Sequence, residues 1–335
     1  MKDHPRIHPS AKAIEAFALD PENHEAFARI LARVLPEYTR FEWGKPAPYK
    51  KHFRLLQKAG VTVYPNHFYS PVPDLSRLDP KRKRPRAGMV GIHLDAPAML
   101  RLARSFSRKY GAEYAEFSQT TPNRDGRFYF GNGVYERIDA EVLHCMVRHH
   151  RPKRIIEIGS GFSSLITATA CEQNRTEGSP CDFTLIEPYP NDLFQGEIPG
   201  LTRLLRYNVE ECPLALFEDL EAGDILFIDS THVIRSGNDV EYEYFEIIPR
   251  LKPGVLIHIH DIFLPYRYPE SWLQQELVFW NEQYLVEAML THNRAYRVLW
   301  AGAYMHALHP AALAAAFPGY DPAKNLPGSL WLIRR

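Results

Sequence analysis

Carboxylates and imidazoles able to do acid–base or metal chemistry gather in two short stretches, Phe227-Ile-Asp229-Ser-Thr-His232 and Val255-Leu-Ile-His258-Ile-His260-Asp261. Two aspartates and one histidine make a plausible oxygen-rich ligand set for a divalent ion. Mg²⁺ or Mn²⁺ suits the oxygens, and Zn²⁺ or Fe²⁺ suits a larger histidine share. Asp229, Asp261 and His232 are therefore the candidate metal ligands. A metal-free site is equally coherent, with His232 or His260 as general base and the aspartates orienting it. In a third reading Asp261 caps the following segment and His258 packs on a sheet. One geometric condition separates these readings. His258 and His260 alternate with Ile257 and Ile259, so they share a face, and Asp261 points away from it if extended geometry persists to 261.

These residues need a scaffold that brings strand ends together. From about residue 138 the sequence alternates helical and strand patterns, with strands expected at 154–158, 183–187, 201–207, 224–229 and 254–260. Four of them are short apolar runs without polar alternation, as strands covered on both faces should be. Helices are expected at 139–149, 238–251 and 271–290, and two late strands at 296–303 and 329–334. Five strand–helix steps and a closing strand pair give a doubly wound α/β sheet. In such sheets ligands bind beyond the carboxyl ends of the strands. The first strand ends in Glu157-Ile-Gly159-Ser160-Gly161, where glycines let backbone N–H groups approach a ligand. The second ends in Glu187, which can accept hydrogen bonds from both hydroxyls of a ribose. The third ends near Asn208, where a base would be flanked.

Upstream, apolar residues at helical spacing (Ile14, Phe17, Phe27, Ile30, Val34) mark helices within 10–35, broken at Pro21. Further helices are expected at 48–59 and 95–109, and 110–135 should be mostly irregular. The basic run 79–86 lacks aromatics and reads as a solvated linker. Domains are thus expected at 1–135, a smaller mainly helical region serving as lid, acceptor contact or homodimer contact, and at 136–335, the ligand-binding sheet. The aromatic residues His67, Tyr69, Tyr266, Tyr268 and Trp272 are candidate walls of an acceptor pocket.

The chain has 335 residues, 45% hydrophobic and 24% charged, with a formal net charge of zero. A neutral chain with one short basic run offers few phosphate contacts, so no nucleic-acid partner is expected. No apolar run approaches the ~20 residues of a membrane span. Four scattered cysteines without metal spacing read as free thiols. With no signal-like apolar segment near Met1, a soluble cytoplasmic protein is expected.

Taken together, Glu157-x-Gly-x-Gly161, the acidic Glu187, Phe227-Ile-Asp-Ser-x-His232-Val and Pro253-Gly-Val-x-Ile-His-x-His260-Asp-Ile-Phe-x-Pro265 resemble the class I S-adenosylmethionine (SAM) dependent methyltransferases, a bacterial family of them in particular. The resemblance extends to His67-Phe-Tyr-Ser-Pro-Val-Pro-Asp74 and to 129–135. It implies a seven-stranded Rossmann-like sheet with a reversed last strand, SAM as cofactor, and methylation of a small-molecule or glycan hydroxyl. Glu157, Gly159, Ser160, Gly161, Glu187, Asn208 and Asp229 would then hold SAM, with His232, His260 and Asp229 catalytic. Asn132 and Tyr135 would cover its methionine end. The aspartates at the fourth and fifth strand ends are similar to the ion-binding acids of metal-dependent O-methyltransferases. Two other classes stay open. An NAD-dependent oxidoreductase would want glycine where Ser164 stands, and a non-catalytic SAM-binding protein would keep the loop without the chemistry.

Overall fold

A computed structural model describes residues 9–39, 50–78, 89–117 and 128–335. The basic run 79–86 lies outside them. The chain divides into two compact units, Met1–Leu78 and Asp79–Arg335. In the first, α1 (Pro9–Leu19) and α2 (His24–Tyr38) flank Pro21, and α3 (Lys50–Lys58) follows. Asp20 stops and restarts the chain there, its carboxylate accepting from the Glu22 N–H at 3.0 Å.

The second unit begins before the sheet. Its helix α4 (Ala96–Ala115) is capped by Asp95, which accepts from the Ala98 N–H at 2.9 Å, with Pro97 in the first turn. It runs beyond the helix expected at 95–109 because Met99, Ala103, Phe106 and Tyr114 continue one buried stripe along it. Helix α5 (Asp139–His150) packs on it and ends at Arg151, whose left-handed backbone closes the last turn. Arg148 of α5 forks onto the Glu113 carboxylate of α4 at 2.9 and 3.0 Å.

Seven strands follow: β1 (Arg154–Ile158), β2 (Asp182–Ile186), β3 (Arg203–Leu205), β4 (Ile225–Ile228), β5 (Leu256–Ile259), β6 (Tyr296–Ala301) and β7 (Leu330–Arg334). They lie in the order β3-β2-β1-β4-β5-β7-β6. The first five are parallel, and β7 runs antiparallel between β5 and β6. This is the doubly wound sheet expected from the sequence. Ile155 sits level with Phe183 on one side and Ile225 on the other, and all three are buried. Each such side chain contributes about 1.5–3 kcal/mol. Because β1 is central, with the strand order reversing beside it between β1 and β4, the ends of β1, β2, β4 and β5 form one crevice. Helix α6 (Phe162–Thr176) leaves the β1 end directly, and the short α7 (Ala215–Glu218) precedes β4.

Two expected helices are broken. The 238–251 segment becomes α8 (Asp239–Tyr242), a wide π turn (Glu243–Ile247) and a 3₁₀ turn (Ile248–Arg250). Pro249 explains this, since it lacks an N–H and its ring crowds the carbonyl four residues back. The 271–290 segment splits into α9 (Glu270–Gln274) and α10 (Glu282–Leu290), with Leu277 left-handed between them. The strand expected at 296–303 stops at Ala301, where α11 (Gly302–Leu308) begins and α12 (Pro310–Ala316) follows. Among the described residues, no helix is long and apolar enough to cross a membrane.

Candidate active site

The ladder carries Asp229 just past β4, its N–H donating to the Ile158 carbonyl at 2.9 Å. The chain then folds back on itself. Thr231 is pinned by Asp239 through its N–H (3.0 Å) and hydroxyl (2.7 Å), and His232 takes a left-handed φ of 58°. That reversal aims the His232 ring at the strand end, with Nε2 3.3 Å from Asp229 Oδ1. On β5 the extended backbone ends at Ile259. Asp261 has φ 56°, so its carboxylate swings toward the same point, 3.7 Å from His232 Nε2. Strand geometry, which would have set His260 and Asp261 on opposite faces, does not persist to 261, and Asp261 rather than His260 joins Asp229 and His232. Left-handed backbone is uncommon for residues other than glycine, and here two such residues face one another.

Among the described residues, Asp229, His232 and Asp261 place three ligand atoms within 4.8 Å of one another. Two ligands at right angles around an ion at about 2.1 Å lie about 3 Å apart, close to the 3.3 and 3.7 Å that separate His232 Nε2 from the two carboxylates. The two aspartates are 22% and 17% exposed while the imidazole is 5% exposed, which leaves the oxygens facing outward.

The surroundings fix this imidazole. Glu282, fully buried at the start of α10, lies 2.8 Å from His232 Nδ1, and the Tyr244 hydroxyl donates to the same carboxylate at 2.6 Å. Trp280 covers the ring at 4.2 Å between centroids. His260 sits behind, buried, with its ring 4.6 Å from that of Tyr135 and Nε2 3.7 Å from Asp261 Oδ1. Burial by itself lowers the His232 pKa, but hydrogen bonds and charge from Asp229 and Glu282 lift it well above the ordinary value. Asp229 is pushed up by burial and pulled below its usual range by His260 and His232. Asp261 stays raised, burial outweighing His260. The two carboxylates that flank His232 thus favour the protonated form of its ring.

The glycine loop has a different logic from the one its spacing suggests. Gly159 has φ 89°, and a Cβ there would meet the Asp229 carbonyl oxygen at 1.9 Å. Its glycine is demanded by the β1–β4 contact. Gly161 has open space where a Cβ would stand. Glu157 is buried, accepting from the hydroxyls of Ser163 and Ser164 at 2.7 Å each, and burial pushes its pKa up to about 8. Glu187 is partly exposed at the β2 end, accepting from Ser160 Oγ (3.0 Å) and the Tyr189 N–H (2.7 Å). Each oxygen keeps a lone pair for a ribose hydroxyl. The half-buried Asn208 is tied to Glu211. Asn132 spends its amide on its own turn, bonding the Tyr129 and Tyr135 carbonyls at 2.8 and 2.9 Å.

Tyr266, Tyr268 and Trp272 do come together, with Phe263 and Trp280, in a small aromatic cluster beside His232. Gln283 holds it, donating its N–H to the Tyr268 hydroxyl at 3.0 Å and its amide to the Tyr266 carbonyl at 3.0 Å. His67 and Tyr69 lie in the first unit, in an aromatic turn with the exposed Phe68. Sequence reasoning missed Glu282, Trp280, Tyr244 and Gln283. The signal available was Trp280-Asn281-Glu282-Gln283 itself, hidden inside an apparently continuous helix.

A family model described as a methyltransferase domain matches residues 156–262, from within β1 to just beyond β5. An uncharacterized protein of Archaeoglobus fulgidus is 32% identical over 181 residues, covering 50% of this chain and 78% of that one. Among solved structures, CmcI with SAH is 17% identical, with a TM-score of 0.35, covering 67% of this chain and 90% of that one. An O-methyltransferase from Bacillus cereus in complex with SAH is 12% identical, with a TM-score of 0.35, covering 72% of this chain and 92% of that one. Likenesses that distant carry no weight for the chemistry. The domain match and the sheet order agree: residues 156–262 carry a methyltransferase domain, built on a doubly wound seven-stranded sheet.

Proposed function

We propose that this enzyme methylates a hydroxyl of a small-molecule or glycan acceptor, with a divalent cation held by Asp229, His232 and Asp261. The observation that carries the reading is the convergence of those three side chains at the ends of β4 and β5. SAM supplies an electrophilic methyl group when bound, and the cation would lower the pKa of the acceptor hydroxyl. The remaining work is positioning. Glu187 would accept the ribose hydroxyls, Gly161 leaves room for the methionine end, and Ser160 holds Glu187 in place. Glu157 acts from behind the loop, through Ser163 and Ser164. Tyr266, Trp272 and Trp280 would wall the acceptor beside His232 and exclude water.

Deprotonation by His232 alone is the weaker alternative. Asp229 and Glu282 favour the protonated form of the imidazole between them, which makes it a poorer base toward an acceptor hydroxyl. A cation in that place substitutes for the proton, which accounts for the carboxylates without adding unbalanced charge.

Calorimetry with SAM and with NAD, each with and without Mg²⁺ or Mn²⁺, tests the reading. Saturable SAM binding together with a cation site lost in Asp261→Asn is expected. NAD binding in its place would overturn the assignment. Tight SAM binding with no cation site would leave the metal-free base.

A further inference from the structure

The residues that lead into helix α10 take no part in the chemistry above, yet they enclose His232 on three sides. Its backbone carbonyl accepts from the N–H groups of Asn281 (3.0 Å) and Glu282 (3.1 Å). Asn281 Oδ1 accepts from the Ile234 N–H at 2.8 Å, fixing the loop just beyond. The Trp280 ring lies over the imidazole, and the Glu282 carboxylate meets its Nδ1. Glu282 is itself oriented by Tyr244, from the π turn of the interrupted helix. A buried carboxylate with two short hydrogen bonds, neither made within its own helix, has few arrangements open to it.

We infer that Glu282 is a positioning residue that sets the tautomer of His232, holding a proton on Nδ1 so that the Nε2 lone pair is directed at the cation between Asp229 and Asp261. This rests on the metal reading above. A neutral imidazole presents one nitrogen as donor and the other as acceptor, and the partner of one decides the state of the other. With an acceptor-only carboxylate at Nδ1, only Nε2 is left to bind an ion. Tyr244 acts one step further back, by occupying the second Glu282 oxygen and holding the carboxylate in that orientation.

An amide at 282 makes a test that packing alone does not mimic. In Glu282→Gln the Tyr244 hydroxyl claims the amide oxygen, so the amide NH₂ faces His232 and selects the wrong tautomer. Adding Tyr244→Phe frees the amide to turn its oxygen toward Nδ1. Co²⁺ affinity and the Co²⁺ visible absorption spectrum are measured on the whole chain, with thermal melts confirming that each variant is folded. The expected result is a roughly 10–100-fold loss of affinity and an altered spectrum in Glu282→Gln, partly recovered in the double variant. Unchanged affinity and spectrum in Glu282→Gln would overturn the inference while leaving the metal site standing. So would a double variant weaker than Glu282→Gln, which marks a structural role. A wild-type protein that binds no Co²⁺ removes both the metal reading and this one.

Discussion

Gly159 and Asp229 are in contact through their backbones: a methyl group on Gly159 would stand 1.9 Å from the Asp229 carbonyl oxygen. The glycine loop and the proposed reaction centre are therefore one rigid junction at the ends of β1 and β4, and displacing one displaces the other.

Gly159→Ala should consequently cost about 3 kcal/mol or more, because overlap with backbone adds to a positive φ that alanine resists. Gly161→Ala meets open space in an extended conformation and should melt like the wild type, while weakening SAM by intruding on its site. Melting curves and SAM titrations on the pair separate the two roles. Equal melting temperatures would refute the assignment.

Glu187→Ala should weaken SAM by about 10–100-fold, the value of charge-assisted bonds worth about 1.5–3 kcal/mol. Ser160→Ala, which only frees Glu187 to move, should cost less. Calorimetry reads both, and an undiminished affinity in Glu187→Ala would place the ribose elsewhere.

Asp229→Asn and Asp261→Asn should each lower Mn²⁺ affinity by at least the ~10–100-fold that a supporting residue costs, since each removes a charged ligand. Titration by electron paramagnetic resonance measures this directly. Retention of the ion by both variants would show that the cluster does not hold it.

Acid stability should depend on Glu113. Burial raises its pKa, but bonds from His144 and Arg148 outweigh burial and hold the carboxylate at about 2, against 4.5 for the free group. Its folded-state pKa is depressed, so its contribution is present above about pH 4.5 and lost as pH falls toward 2. Glu113→Gln should cost about 1–3 kcal/mol at neutral pH and flatten the unfolding profile across that window. A profile of unchanged slope would contradict the link.

His258 should be dispensable. It is stacked between Phe227 at 4.1 Å and Trp331 at 4.4 Å, with neither ring nitrogen hydrogen-bonded among the described residues, and burial drives its pKa far down. His258→Phe removes two unsatisfied polar atoms and should keep or raise stability by about 1 kcal/mol with SAM binding unchanged. Loss of SAM binding would give it a role that its packing does not suggest.

The amino-acid sequence by itself determined the sheet and its strand ends. Ile155, Phe183, Leu226 and Ile257 belong to short apolar runs of strand length, the pattern of strands covered on both faces, and all four are buried in the sheet. Glu187, Asp229 and Asp261 stand out in the sequence as polar residues just past the ends of such runs, where the crevice lies, whereas Glu157 is inside β1 and buried behind the loop. The tertiary structure alone decided how they are used. Asp261 joins Asp229 because its backbone turns left-handed, an unfavourable local choice that long-range contacts impose, among them the Ile262 N–H to Gly328 carbonyl bond at 2.8 Å. Glu282 reaches His232 because the helix expected across 271–290 breaks, the Asn281 and Glu282 N–H groups donating to the His232 carbonyl instead of to the carbonyls of a preceding turn. Helical periodicity records which face is buried, whereas a distant acceptor that outcompetes the helix leaves no trace in spacing.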